Sequence, residues 1–291
     1  MNFFFQIAAS GIATGAIYGL IAVGYSLTFT TTKVLNFALG MWVMLGGMLT
    51  YSLIVQHHIP ALIVLPLVMG ALFGLGIAAE RLSVFPFLRA GSDVWVMATL
   101  GVGLLMIDSA EIIWGRSPTP VPSFLGNHPI TIGPLSLLPQ QVFIIAVACV
   151  VFVALDYFYR HTLTGKAFRA VAHNGEVSSL MGINTRRVQA TSYAAASALA
   201  GLAGFMVVPL TLAEPQLGTV LGLKAFAIAI IAGLGAPRGI LICGLVYGAL
   251  EALISGYLYT GIRDILGFSL MILALFLKPE GLFGKTVEER A

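Results

Sequence analysis

Apolar runs of about twenty residues recur along the whole of this 291-residue chain, separated by short polar or proline-containing connections. A helix of that length reaches ~30 Å, the thickness of the hydrocarbon core of a bilayer. Because 58% of the residues are hydrophobic and only 9% are charged, the chain has too little polar surface to cover a soluble core of its size. The sequence therefore predicts an all-α, polytopic membrane helix bundle.

The runs predict eight or nine transmembrane spans in a single domain, residues 1–291, because no polar segment is long enough to form a separate aqueous domain. The first run has no basic segment before it and no cleavage site after it, so we expect a retained span. The nine-span prediction places spans at 4–29, 36–55, 60–79, 93–113, 140–158, 188–212, 220–235, 238–257 and 264–277. The segment 220–235 reaches only ~24 Å, so it either crosses the bilayer or re-enters it.

Basic residues concentrate in alternate connections, at 30–35, 80–92, 159–187 and 236–239, and in the C-terminal tail. The positive-inside rule predicts that these segments are cytoplasmic, with the N-terminus outside and the C-terminus in the cytoplasm. They carry Lys33, Arg81, Arg89, Arg160, Lys166, Arg169, Arg186, Arg187, Arg238, Lys278, Lys285 and Arg290, whereas Arg116, Lys224 and Arg263 lie elsewhere.

One external loop, 114–139, is long and contains six prolines, which predicts an ordered but irregular segment. Both a simple connector and a landing surface for an external partner fit this composition. The prolines are Pro118, Pro120, Pro122, Pro129, Pro134 and Pro139.

The cytoplasmic loop 159–187 is the polar island of the chain, and its second half predicts a short helix. Asn174 is a favourable N-cap, and Gly182 is suited to end the helix in a left-handed conformation. Val177, Leu180 and Met181 follow at helical spacing and form one apolar stripe. Such a stripe has to be buried against the bundle, the lipid interface or a groove of a partner protein.

Three acidic residues are predicted to lie within spans, where a charge at the helix centre costs about 2.5–3.5 kcal/mol. Asp108 and Glu111 share one helix face, and Arg116 lies close enough in sequence to pair with Glu111. Glu251 is the third acid. A polar translocation path, a proton relay and simple neutralisation of the acids all remain open, and we expect Lys224 to snorkel to the interface.

Glycines at four-residue spacing favour close helix packing over a pore lining. They are Gly11, Gly15 and Gly19 in the first span, with the pairs Gly70/Gly74 and Gly244/Gly248.

Motifs for catalysis are not recognisable, so the sequence does not predict an enzyme. The segment PEGLFGKT has Pro279 where a phosphate-binding loop needs glycine, and we expect it not to bind ATP. His57 and His58 have no third ligand nearby, so no metal site is predicted. Cys149 and Cys243 lie in apolar runs and are expected to behave as small hydrophobic residues.

Four segments together resemble the LivH-type permeases, the membrane subunits of branched-chain amino acid ABC transporters. They are GAIYGLIAVGYSLTFTTTKVLNFALG, GEVSSLMGINTRRV with the alanine-rich run after it, GLGAPRGILICGLVYGALEALISGYL and KPEGLFG. The resemblance implies an ATP-driven, binding-protein-dependent importer in the bacterial inner membrane, for branched-chain or other hydrophobic amino acids. It also implies a homologous second (LivM-like) permease, two cytosolic ATPases that carry ATP and Mg²⁺, and a periplasmic binding protein. No cofactor on this chain and no nucleic acid partner is expected.

The importer-permease pattern in this loop has Glu-Ala-Ala and then Gly six residues after the Glu. Glu176 and Gly182 match that spacing, while valine and serine replace the alanines. The resemblance thus predicts an ATPase-coupling contact, formed by Glu176, Val177, Leu180, Met181 and Gly182. At 36–41 the chain has Asn-Phe-Ala-Leu-Gly-Met where the family often has Asn-Phe-Ala-His-Gly-Glu, which leaves urea or short amides open as substrates.

A different class of function remains open beside this one. A proton-coupled secondary transporter would work without an ATPase and would use Asp108, Glu111 or Glu251 as proton carriers. A simple channel or a scaffold is a further alternative, for which the acids would be dispensable.

Overall fold

A computed structural model describes residues 2–89, 94–126, 128–132 and 135–257, and beyond these 265, 267–269, 272–273, 276, 278 and 281–284. The described chain is mainly helical, which confirms the predicted all-α class. Its helices are α1 (Asn2–Thr32), α2 (Leu39–Tyr51), α3 (Ala61–Ala79), α4 (Phe85–Arg89), α5 (Trp95–Trp114), α6 (Pro139–His161), α7 (Leu163–His173), α8 (Gly175–Leu180), α9 (Thr185–Val207), α10 (Leu217–Ala232) and α11 (Pro237–Tyr257).

Two π-helical turns extend the ends of helices, Ser52–Gln56 after α2 and Glu80–Val84 between α3 and α4. A 3₁₀ turn, Val208–Leu210, follows α9. Two short antiparallel strands, β1 (Ile130–Ile132) and β2 (Leu135–Leu137), lie in the long loop before α6.

Seven described helices, with their extensions, are long and apolar enough to cross a bilayer. Helix α10 has 16 residues, which is shorter than a full crossing, so whether it spans or re-enters the bilayer stays open. Half of the residues in the predicted span 264–277 lie outside the described part of the chain. The count of nine therefore remains a prediction, while the polytopic bundle is confirmed.

Helices α1 and α9 form the centre of the bundle. Helix α9 packs against α1, α2 and α3, and α1 packs along α11. Between Ser192 and Val207 every residue of α9 except Ala195 is buried. Many of these are alanine or glycine, and small side chains let neighbouring helices approach closely without lipid between them.

The glycines of α1 and α11 are packed against each other, as their spacing predicts. A Cβ atom added at Gly248 would collide with the backbone of Gly11 and Gly15, and one added at Gly15 would collide with the carbonyl of Gly244. This contact is antiparallel, because residue numbers rise along α1 as they fall along α11.

The glycine pair of α3 behaves differently, and there the expected packing is not formed within this chain. No atom lies within 4 Å of a Cβ added at Gly70 or Gly74. The reason is that α3 buries its opposite face, where Leu72 touches Gly201 and Gly76 meets Ser197 on α9.

The proline-rich loop 114–139 is fastened to the bundle. Thr119 and Ala213 exchange two backbone hydrogen bonds, N–H to O, of 3.0 and 2.8 Å. The ring of Phe124 packs 5.0 Å from that of Phe205. The β1–β2 hairpin was not predicted, because the prolines on either side of Ile130–Ile132 obscure its alternating pattern.

Candidate functional site

The polar loop 159–187 contains two helices where the sequence predicted one. Helix α7 begins at a cap in which the Thr162 hydroxyl accepts a hydrogen bond from the Gly165 N–H, 2.9 Å. It buries Phe168 and Val171, and the ring of Phe168 packs edge-on against that of Phe158 with 5.7 Å between centroids. The threonine cap and the i, i+3 apolar pair were the available signals for this helix.

Helix α8 has the caps that the sequence predicts. The Asn174 side-chain oxygen accepts a hydrogen bond from the Val177 N–H, 3.0 Å. Gly182 adopts a positive φ of 85°, in the left-handed region that glycine favours.

The apolar stripe of α8 faces away from the bundle. Val177, Leu180 and Met181 are 53%, 87% and 80% exposed, whereas Ser178 on the opposite face is buried. Glu176 is also exposed. Among the described helices none covers the stripe, which therefore forms an exposed apolar surface.

Helix α8 is linked directly to α9, and through α7 it is linked to α1. The Ile183 N–H donates to the Ser178 carbonyl, 3.0 Å, and the Asn184 side chain then caps α9 by accepting from the Arg187 N–H, 3.0 Å. On the other side, the Lys33 ammonium at the end of α1 donates to the Ala172 carbonyl in α7, 3.0 Å. A force on α8 can thus reach α1 and α9 through short connections.

Several of the basic residues that were grouped by sequence lie at this same end of the bundle. Asp156 on α6 pairs with Arg160, N to O 3.1 Å, and with Arg238 at the start of α11, 3.0 Å. These pairs are exposed, so each contributes little stability, but they show that the two helix ends are adjacent.

A buried ion pair lies on a different part of the bundle, between α10 and α11. Lys224 Nζ is 2.6 Å from Glu251 Oε1, and the two side chains are 2% and 7% exposed. The Tyr18 hydroxyl of α1 donates to the same carboxylate oxygen, 3.4 Å. The expectation that Lys224 snorkels is wrong, because the residue lies in the middle of a buried helix face and an acid lies within its reach.

Glu251 also lines a polar cavity of about 310 Å³ between α1 and α11. Hydroxyl groups of Ser10, Thr14 and Ser255 contribute to its wall. The cavity lies near the N-terminal half of α1, whereas α7 contacts the region of its C-terminal end. The carboxylate of Glu251 is thus the point at which the ion pair meets this cavity.

The other two acids are separated from Glu251. Asp108 is exposed on α5, and Glu111 Oε2 accepts from Arg116 Nε at 2.6 Å, the pairing that the sequence suggested. Helix α5 packs against α2 and the π turn Glu80–Val84, and not around the ion pair. The three acids predicted for a translocation path therefore do not converge within this chain.

The segment that resembles a phosphate-binding loop has a structural role where it is described. The N–H groups of Leu282 and Phe283 donate to the carbonyls of Ile231 and Ala232, 2.7 and 3.0 Å. Gly281, with φ of 84°, fits closely against Gly233. These contacts anchor the segment to the end of α10.

The chain matches the family described as "Branched-chain amino acid transport system / permease component" over residues 7–275. It is 30% identical over 302 residues to the branched-chain amino acid permease LivH of Escherichia coli, covering 99% of this chain and 98% of that protein. It is 25% identical over 300 residues to BraD of Pseudomonas aeruginosa, with the same coverage. The ribose import permease RbsC of Escherichia coli is 28% identical over 265 residues, 87% of this chain and 76% of that protein. This multi-pass membrane protein therefore belongs to the family of permease components of branched-chain amino acid transport systems.

Proposed function

We propose that this permease is driven by ATP hydrolysed on separate cytosolic subunits, and that α8 is the contact through which they act. The observation that carries the proposal is the exposed stripe of Val177, Leu180 and Met181 on a well-capped helix tied to α1 and α9. Each side chain gains about 1.5–3 kcal/mol when fully buried, enough in sum to dock α8 into a groove. Glu176 and Gly182 complete this coupling contact.

The proposed orientation places α8 in the cytoplasm of a bacterial cell, with the chain in the inner membrane. The N-terminus is then outside and the C-terminus inside. The contacts of Lys33, Arg160 and Arg238 at one end of the bundle support it, because basic residues collect on the cytoplasmic side.

The assembly that we propose contains a second, homologous permease, two ATPases that hold ATP and Mg²⁺, and a periplasmic binding protein. The outer face of α5 supports a partner in the membrane, because it carries an exposed acidic side chain among its apolar ones. Asp108 is exposed on α5, and a carboxylate at that depth is better placed against protein than against lipid.

The proposed mechanism is alternating access controlled by nucleotide. ATP binding closes the ATPase pair and α8 moves with the ATPase surface. Helices α9 and α1 then tilt, because α8 packs against α9 and is connected to α1 through α7. Since the ATPases contact the two conformations differently, hydrolysis biases a two-state equilibrium of the bundle.

Branched-chain amino acids are the proposed substrates. The LivH and BraD relatives are named for the transport of branched-chain amino acids. The ribose permease has a similar sequence identity to this chain but is named for a different substrate. In this chain Leu39 fills a fully buried position against Gly24, so the 36–41 segment contributes packing there and no polar contact.

The decisive experiment is reconstitution in proteoliposomes with candidate ATPases, a partner permease and a binding protein. We expect ATP-dependent uptake of leucine that exceeds uptake of urea, short amides and ribose. Uptake by this chain alone, dependent on a proton gradient and indifferent to ATP, would instead identify a secondary transporter.

A further inference from the structure

A second polar cavity, of about 430 Å³, lies where the end of α3 meets the start of α9. It is at the same end of the bundle as α8, because Asn184 and the first turn of α9 form one wall. The opposite wall is the π turn Glu80–Val84. The lining residues are Glu80, Arg81, Asn184, Arg186, Arg187 and Ala190.

Glu80 is the unusual member of this cavity. It is 1% exposed, and neither carboxylate oxygen receives a hydrogen bond from any residue in the described part of the chain. A buried carboxylate without a donor is costly, so such groups are normally paired. Arg186 is close by, yet its guanidinium lies over the ring of Phe85, 4.0 Å from the centroid, and does not form an ion pair with the acid. Glu80 thus lines the cavity with a buried carboxylate that lacks a donor among the described residues.

The lining combines two complementary chemistries. Arg81, Arg186 and Arg187 are exposed guanidinium groups, which suit the oxygens of a phosphate. The carboxylate of Glu80 suits a primary ammonium, which has three N–H donors and no acceptor. A ligand that satisfies both carries a phosphate and a primary ammonium, as phosphoethanolamine does.

We propose that this cavity binds the headgroup of an aminophospholipid, with the phosphodiester on the arginines and the ammonium on Glu80. A lipid is the source because the cavity lies at the end of a span-length helix, at headgroup level. Leu82, next to Arg81, is 79% exposed, and α3 continues outward with exposed Leu75 and Phe73 to contact acyl chains.

A lipid bound in this way bridges α3 and α9 beside the coupling helix. The lipid stabilises the connection between α8 and α9. Its ammonium group supplies the hydrogen-bond donor that Glu80 lacks. The site depends on insertion in the membrane and not on which substrate is transported, so its failure would leave the proposed function intact.

The test is native mass spectrometry of the full chain, delipidated in detergent and then titrated with phosphatidylethanolamine, phosphatidylcholine or phosphatidylglycerol of matched acyl chains. Phosphatidylcholine has a quaternary ammonium without N–H donors, so we expect a roughly tenfold preference for phosphatidylethanolamine over it, the size of one charge-assisted hydrogen bond. Glu80→Gln is expected to reduce that preference to near unity. Arg186→Gln combined with Arg187→Gln is expected to weaken phosphatidylethanolamine and phosphatidylglycerol together.

Glu214→Gln, which removes a carboxylate beyond the far end of α9, is the matched control and should retain the preference. An unchanged lipid preference in Glu80→Gln would overturn the proposal. Equally tight binding of soluble phosphoethanolamine would overturn the assignment to a lipid. Loss of the ATPases from Glu80→Gln with lipid binding unchanged would assign the cavity to the ATPase and refute the lipid site.

Discussion

Lys224 and Glu251 join α10 to α11 through an ion pair of 2.6 Å inside the bundle, and the hydroxyl of Tyr18 brings α1 to the same carboxylate. The two side chains are only 2% and 7% exposed, so the pair is held within the packed helices. Helix α10 has only 16 residues. The ion pair fixes it against α11, and the hydrogen bond from Tyr18 adds α1 to the same cluster. The arrangement is therefore a structural joint that also borders a polar cavity.

Removing one charge of this ion pair should destabilise the protein more than removing both charges. We expect Lys224→Met or Glu251→Leu alone to lower the free energy of unfolding by about 3–5 kcal/mol, because each removes the partner charge beside a buried charged group. The double variant should lose less than either single one, since no charge then remains. Thermal unfolding of purified protein in detergent measures all three.

The exposed pair of Arg116 and Glu111 provides the matched control. Arg116→Met should change the unfolding temperature little, because that arginine is largely exposed and surface ion pairs contribute little. The double variant of Lys224 and Glu251 could instead be as unstable as the less stable single variant. That result would contradict a stabilising ion pair, because removing both charges would then give no relief.

The glycines of α1 and α11 lead to a second prediction. Gly248→Ala places a methyl group against the backbone of Gly11 and Gly15, where no side chain can move aside. Gly74→Ala fills open space on the outer face of α3. We expect the first substitution to reduce the yield of folded protein severely and the second to leave it unchanged, as judged by size-exclusion chromatography in detergent.

The control is strict because both substitutions replace a helical glycine by a better helix former. Equal tolerance of the two would show that α1 and α11 are not held at the distance described. A loss confined to Gly74→Ala would point to a partner covering α3.

Local features of the fold could be predicted from the sequence, and long-range pairing could not. The caps at Asn174 and Gly182 depend on residues within one turn, so their residue types were sufficient. The pairing of Lys224 with Glu251 depends on how α10 and α11 are placed beside each other, which no local spacing encodes. The sequence places Glu80 at the start of the connection 80–92, whereas the structure has it buried in a π-helical turn.

Capping gives a third prediction, at Asn174. Asn174→Ala removes the acceptor for the Val177 N–H and should destabilise α8 by about 1 kcal/mol, whereas Asn174→Asp retains an acceptor at the same position. Because α8 has only six residues, loss of its cap should unfold it locally without lowering the global unfolding temperature. Amide hydrogen exchange across 174–182 reports this directly, and equal protection in all three proteins would argue against the cap.

The exposed stripe gives the last prediction, which concerns the ATPases. Replacing both Leu180 and Met181 with aspartate should abolish association with the ATPase subunits while membrane insertion remains intact. The reason is that two side chains predicted to be buried in the ATPase groove become charged, while neither contributes to packing within this chain. Co-purification from membranes measures the association.

Leu163→Asp is the matched control, because Leu163 lies in the same loop and is equally exposed. It begins α7, and the length of that helix places it about 16 Å from the start of α8. It should leave co-purification unchanged. If the aspartate pair at 180 and 181 still co-purified normally, α8 would not be the coupling contact. If Leu163→Asp alone released the ATPases, the contact would instead lie at the start of α7, and the stripe of α8 would then face lipid or another subunit.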